Sequence, residues 1–112
     1  MMQHGSAIRD LETDEVRSGL QAGTIALVDV REPHEVAAGI IPGSIVMPLS
    51  QFDPSSLPVG DGRRIVFSCA AGIRSRVAVE ACRRAGLDCH EHYVGGYKGW
   101  VAAGEAVVPG PA

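Results

Sequence analysis

The reading turns on "RRIVFSCAAGIRSRVAVEACRRAG", residues 63–86. Its first part, 63–69, is a β-branched apolar run that reads as a buried strand and stops at Cys69. Its second part, 75–86, reads as a helix. Val79, Cys82 and the alanines form its apolar stripe, Arg83 and Arg84 fall in its last turn, and Gly86 ends it. Between the two lies a tight loop of small residues with one arginine. A thiol is therefore placed where a strand ends and a helix begins.

The same alternation extends in both directions. "TDEVRSGLQAG" (13–23) predicts a short helix capped by Thr13 and stopped near Gly23. "TIALVDV" (24–30) is a second buried strand. "REPHEVAAG" (31–39) leaves it through Pro33 into one helical turn, and "IPGS" (41–44) turns into a short extended piece at 45–49. Residues 50–62 read as loop with a brief helix. "CHEHYV" (89–94) is a further strand, "GGYKGWVAAG" (95–104) a short helix carrying Trp100, and 104–112 a tail after a core of about 8–103. Strands alternating with helices imply one α/β domain, a three-layer α/β/α arrangement around a mostly parallel sheet. Ligand sites in such sheets lie at the carboxyl ends of the strands, where Cys69 falls.

The totals bound the function. The chain has 112 residues, 46% of them apolar, enough for one domain with a buried core. The net charge of −3 argues against nucleic acid or an anionic membrane as partner. No apolar run approaches the roughly 20 residues of a membrane span, and the first ten residues lack the apolar stretch of a secretory signal. Three cysteines with no CxxC pair argue against a disulfide framework and a structural zinc site, and so for a reducing, cytoplasmic setting.

In "CAAGIRS" (69–75) the loop amides and the helix start can point inward as an anion cradle. Gly72 allows the bend, Ala70 and Ala71 add no bulk, Ile73 continues the loop, and Arg74 is permanently positive. Ser75 begins the helix. A thiol there loses its proton more readily than a free one, and its thiolate is a nucleophile. A buried packing role is the competing reading for a free cysteine. Cysteine phosphatases separate cysteine and arginine by five residues. Here four intervene, a smaller ring that suits one added sulfur atom better than a phosphoryl group, and Ser68 precedes the cysteine.

Other residues have plainer expectations. Asp29 and Arg31, at the end of the 24–30 strand, are expected to support the Cys69 loop, with substrate contact as the alternative. Arg31 and Glu35 form a surface pair. Cys82 packs in the core. A disulfide between Cys89 and Cys69 is an outside alternative. His90 and His92 share a face but lack a third metal ligand, so sheet packing or a polar surface is expected. Tyr97 and Trp100 pack the last helix on the sheet.

Three separated segments, "LVDVREPHEVAAGIIPGSIVMPL" (27–49), "CAAGIRS" (69–75) and "VGGYKGW" (94–100), resemble those of single-domain rhodaneses, in the same order. The resemblance implies a rhodanese-like fold with a five-stranded parallel sheet. It implies a sulfurtransferase in which Cys69 takes sulfane sulfur as a persulfide, cradled by residues 70–75, with no metal or organic cofactor. The donor is then thiosulfate or a low-molecular-weight persulfide. The acceptor is a thiol, cyanide or a partner protein. Three positions depart from the family. Ile40 replaces the histidine of "GHIPGA", and Ala70 and Ala71 replace basic residues of the loop of thiosulfate-using members. A non-catalytic binding module is the alternative reading; a cysteine phosphatase or arsenate reductase fits the loop length poorly.

Overall fold

The computed structural model describes residues 8–111. Five strands occur in chain order: β1 (Arg9–Leu11), β2 (Ile25–Asp29), β3 (Ile45–Val46), β4 (Arg64–Ser68) and β5 (Glu91–Tyr93). Four helices alternate with them: α1 (Thr13–Ala22), α2 (Pro33–Val36), α3 (Arg74–Arg84) and α4 (Gly96–Ala102). Two single 3₁₀ turns, Leu49–Gln51 and Pro54–Ser56, lie between β3 and β4. The sheet order is β1-β5-β4-β2-β3, and every pair is parallel. This is the α/β fold expected from the alternation.

Every residue of β2 is buried, as a strand covered on both faces must be. Its side chains alternate between two cores. Val28 packs with Phe67, Ala78, Val79 and Cys82 under α3. Ile25 and Leu27 pack with Val16, Val66, Tyr93 and Trp100 under α1 and α4. The two clusters are the two interfaces of a three-layer domain.

Strand connections place the site. From β2 the chain moves to β3 on one side, and from β4 it moves through α3 to β5 on the other. The crevice between the carboxyl ends of β2 and β4 is thus the topological switch point. Asp29 and Ser68 are paired there, and Cys69 is the next residue.

Three local expectations are corrected. Thr13 does not cap α1: Glu12 holds the cap position, and the Thr13 hydroxyl lies 2.7 Å from the Tyr93 hydroxyl. β1 was not foreseen, because only Leu11 of its three residues is buried and no apolar alternation marks it. The segment after α4 is not a loose tail. Ile40 and Val108 exchange main-chain hydrogen bonds of 2.9 and 3.0 Å, Glu105 pairs with Arg17, and Trp100 Nε1 donates to the Ala106 carbonyl. The first residues, from which absence of a leader was read, lie outside the described residues.

The cysteine expectation is also corrected. Cys82 and Cys89 form a disulfide across a Cα separation of 6.2 Å. The chain reverses at Gly86, with φ of 86°, and brings the strand approach back beside the last turn of α3. Cys82 is buried in the core as expected, but bonded. Cys69 is the free cysteine, so no Cys69–Cys89 bond forms. The inference of a reducing compartment thereby loses its premise. Among the described residues no helix is long and apolar enough to cross a membrane.

Candidate active site

The loop after β4 is shaped by what binds its two faces. Its carbonyls are held from outside: the Tyr97 amide donates to the Cys69 carbonyl at 2.8 Å and the Lys98 amide to that of Ala70 at 3.0 Å. Gly96 makes this approach possible, since a Cβ there would stand 2.6 Å from both carbonyl oxygens. Gly72 has φ of 87°, and a Cβ on it would overlap the Val94 carbonyl. With the carbonyls turned away, the amides face inward.

Those amides converge on the sulfur. The Gly72 N–H donates to Cys69 Sγ at 3.2 Å, and the Ser75 hydroxyl lies 3.6 Å from it. Ile73, at the cap position of α3, has no side chain able to accept from the first helical amides. The thiol sulfur takes that place at the positive end of the helix. Cys69 itself is only 1% exposed. Burial pushes its pKa up. The Ser75 hydroxyl and the amides of Ser75, Ala71 and Gly72 outweigh that, and the thiol ends below its ordinary value.

The remaining loop residues divide. Ala71 faces solvent, Ala70 and Arg74 are half-buried, and Ile73 projects outward with 74% of its surface exposed. Arg74 is not a free cation. Its Nη1 and Nη2 donate to the two Glu35 carboxylate oxygens at 2.7 and 2.8 Å. Glu35 also accepts the Glu32 amide at 2.9 Å, completing a capping box for α2. Arg74 first, and then that amide, hold the Glu35 carboxyl at about 2 against the cost of its burial. The expected Arg31–Glu35 ion pair is therefore replaced. Arg31 reaches only the Glu35 main-chain carbonyl, because its guanidinium is turned inward.

Asp29 and Arg31 are both buried and bonded to one another. Arg31 also donates to the Gly39 carbonyl at 2.8 Å and lies 4.0 Å over the Tyr97 ring. Neither side chain touches the sulfur. Asp29 holds Arg31, Arg31 lies against Tyr97, and the Tyr97 amide holds the Cys69 carbonyl, so their connection to the loop is indirect. Two groups near the thiol escaped sequence reasoning: Glu35, and His92 with its bonds to Ser75 and Asp10. The cue for Glu35 was its place in the "VREPHE" segment; His92 stood out only as half of the His90–His92 pair on a strand, which points to neither Ser75 nor Asp10. A surface cleft lies at the amino ends of β4 and β5, around Arg64, Leu87 and His90. It is at the opposite end of the sheet from Cys69 and holds no comparable nucleophile.

The sequence model of the rhodanese-like domain matches residues 12–103. The chain belongs to this family. The thiosulfate sulfurtransferase/rhodanese-like domain-containing protein 3 of Mus musculus is 37% identical over 101 residues, covering 78% of this chain. The chain spans only 64% of that relative's length. The thiosulfate:glutathione sulfurtransferase of Homo sapiens is 33% identical over 101 residues, covering 78% of this chain and 88% of that protein. Among solved structures, a rhodanese-related protein of Thermoplasma volcanium superposes with a TM-score of 0.76 at 29% identity, covering 89% of this chain and 97% of that one. Rhodanese-family relatives make sulfurtransfer the kind of chemistry to consider at this thiol.

Proposed function

We propose that this protein is a sulfurtransferase that carries sulfane sulfur on Cys69. The observation that carries this reading is the free thiol at the switch point, with inward amides and a hydroxyl lowering its pKa. In the first half-reaction the thiolate attacks the outer sulfur of a donor. A bond forms from Sγ to that sulfur as the donor's S–S bond breaks, and the electron pair leaves on sulfite or on a thiolate. The loop amides of residues 70–75 then stabilise the charge on the added sulfur. In the second half-reaction an acceptor thiolate or cyanide attacks the terminal sulfur, the persulfide bond breaks, and the Cys69 thiolate returns.

The charge around the loop favours a low-molecular-weight persulfide over thiosulfate as donor. Thiosulfate leaves as a sulfite dianion, which needs a cationic seat. Ala70 and Ala71 supply none, and Arg74 is neutralised by Glu35. A persulfide leaves as a thiolate and needs less.

Intact-protein mass spectrometry after incubation with glutathione persulfide or thiosulfate tests both points. The expected result is a gain of one sulfur atom, faster with the persulfide, removed by cyanide and absent in Cys69→Ser. No gain from either donor in folded protein would replace this reading with that of a binding module.

A further inference from the structure

From the thiol a chain of polar contacts runs out to the surface. The Ser75 hydroxyl, 3.6 Å from Cys69 Sγ, is 2.8 Å from His92 Nδ1. His92 Nε2 is 2.8 Å from an Asp10 carboxylate oxygen, and Arg76 Nη1 lies 3.5 Å from that same oxygen. Ser75 and His92 are buried, at 0% and 1% exposure, whereas the Asp10 side chain is about half exposed. The contacts join three elements, α3, β5 and β1, and begin at the one free sulfur.

The direction of the hydrogen bonds follows from which atoms can donate. The Asp10 carboxylate only accepts, so His92 Nε2 carries a proton. In a neutral imidazole Nδ1 is then bare and accepts. The Ser75 hydroxyl therefore donates to His92 and leaves its own lone pairs toward the Cys69 S–H. The groups stand as donor to acceptor from sulfur to imidazole. This is the arrangement of nucleophile, base and orienting carboxylate, with a hydroxyl inserted between the first two.

We propose that Ser75, His92 and Asp10 form a proton relay that deprotonates Cys69, with His92 as the base. The proposal rests on the reading of Cys69 as the sulfur carrier. The Cys69 S–H bond breaks, Ser75 Oγ takes that proton, and the original Ser75 proton passes to His92 Nδ1. No electrons change hands. The products are a thiolate accepting from the Ser75 hydroxyl, and an imidazolium held between Ser75 Oγ and the Asp10 carboxylate. Ser75 touches the reacting sulfur and is a catalytic residue; His92 and Asp10 act through it as positioning residues. Of the titratable or charged groups around His92, Asp10 from β1 bonds it, Arg76 from α3 shares that Asp10 oxygen, and Cys69 is reached through Ser75; its register neighbour on β4 is the apolar Phe67.

The test is titration of the Cys69 thiolate by its ultraviolet absorbance, each protein measured against its own Cys69→Ser counterpart. Asp10→Asn and Ser75→Ala are compared singly and together, with Ser75→Thr as the conservative variant. The relay predicts a midpoint higher by about one pH unit in Asp10→Asn, equal to a tenfold smaller thiolate-to-thiol ratio at a given pH below it. It predicts a rise in Ser75→Ala, no further rise in the double variant, and recovery in Ser75→Thr. An unmoved Asp10→Asn midpoint overturns it, and so does an Asp10→Asn effect that persists undiminished without the serine hydroxyl. If Ser75→Ala fails to fold, Asp10→Asn decides alone, since that side chain lies at the surface. The titration needs no sulfur donor. A relay that works in a protein no donor can load would refute sulfur transfer and leave the relay standing.

Discussion

Replacing Glu35 by glutamine separates charge from shape at the mouth of the Cys69 loop. Glutamine retains the oxygen that accepts the Glu32 amide, so the capping box survives, while the ion pair with Arg74 is lost. The folded carboxyl titrates at about 2 against an ordinary 4.5. Fully expressed, that difference amounts to about 3 kcal/mol. The two side chains are 34% and 23% exposed, and solvent screening brings the expected loss to about 1–2 kcal/mol. For a domain of this size that is a fall in Tm of roughly 5–10 °C at neutral pH. The sign with pH follows from the lowered value. The contribution is complete above the unfolded pKa of about 4.5 and is lost as pH falls toward 2. Thermal melts followed by circular dichroism from about pH 7 to about pH 2.5 should show wild type and Glu35→Gln converging at the acid end. A constant gap across that range, or none at neutral pH, would refute the assignment of the stabilisation to the charge pair.

Two further outcomes follow from the same loop. Ala71 is exposed and uncharged, so Ala71→Lys should raise kcat/KM for thiosulfate by about fivefold, the effect of one exposed charge contact near 1 kcal/mol; steady-state assays with both donors should show persulfide turnover unchanged. Gly96→Ala places a methyl against the Cys69 and Ala70 carbonyls in a backbone with φ of 63°. It should lower stability by about 2 kcal/mol or more in chemical denaturation and raise the Cys69 thiol midpoint, as the loop amides lose their alignment.

Legibility in the sequence followed locality. β2 and β4 could be read because burial on both faces writes a continuous apolar run. The Cys69 loop could be read because all its amides come from seven consecutive residues, and the Gly95–Gly96 pair resembled a known closing element. What stayed hidden depends on contacts across the chain. Arg74 and Glu35 are 39 positions apart, and His92 and Asp10 are 82 apart. His92 looked like half of a histidine pair on a strand. Its partner sits on β1, a strand of three residues with two of them exposed, which has no pattern of its own. The Cys82–Cys89 bond was masked for a different reason. The helix periodicity explained Cys82 as packing, and nothing in that pattern shows that the turn at Gly86 brings Cys89 back beside it. Thr13 carries a capping residue's chemistry, yet the buried Tyr93 hydroxyl offers it a better partner.

The order of the strands has a consequence for how the protein is made. Among the described residues β1 pairs with β5 alone, so it finds its place only after Tyr93 has emerged from the ribosome. The amides of Tyr97 and Lys98, which set the loop around Cys69, come later still. Until then residue 69 is an ordinary cysteine on an unfinished sheet. The amide cradle around that sulfur forms only once Tyr97 and Lys98 are in place, and a nascent chain broken off before Gly96 would carry the thiol without it.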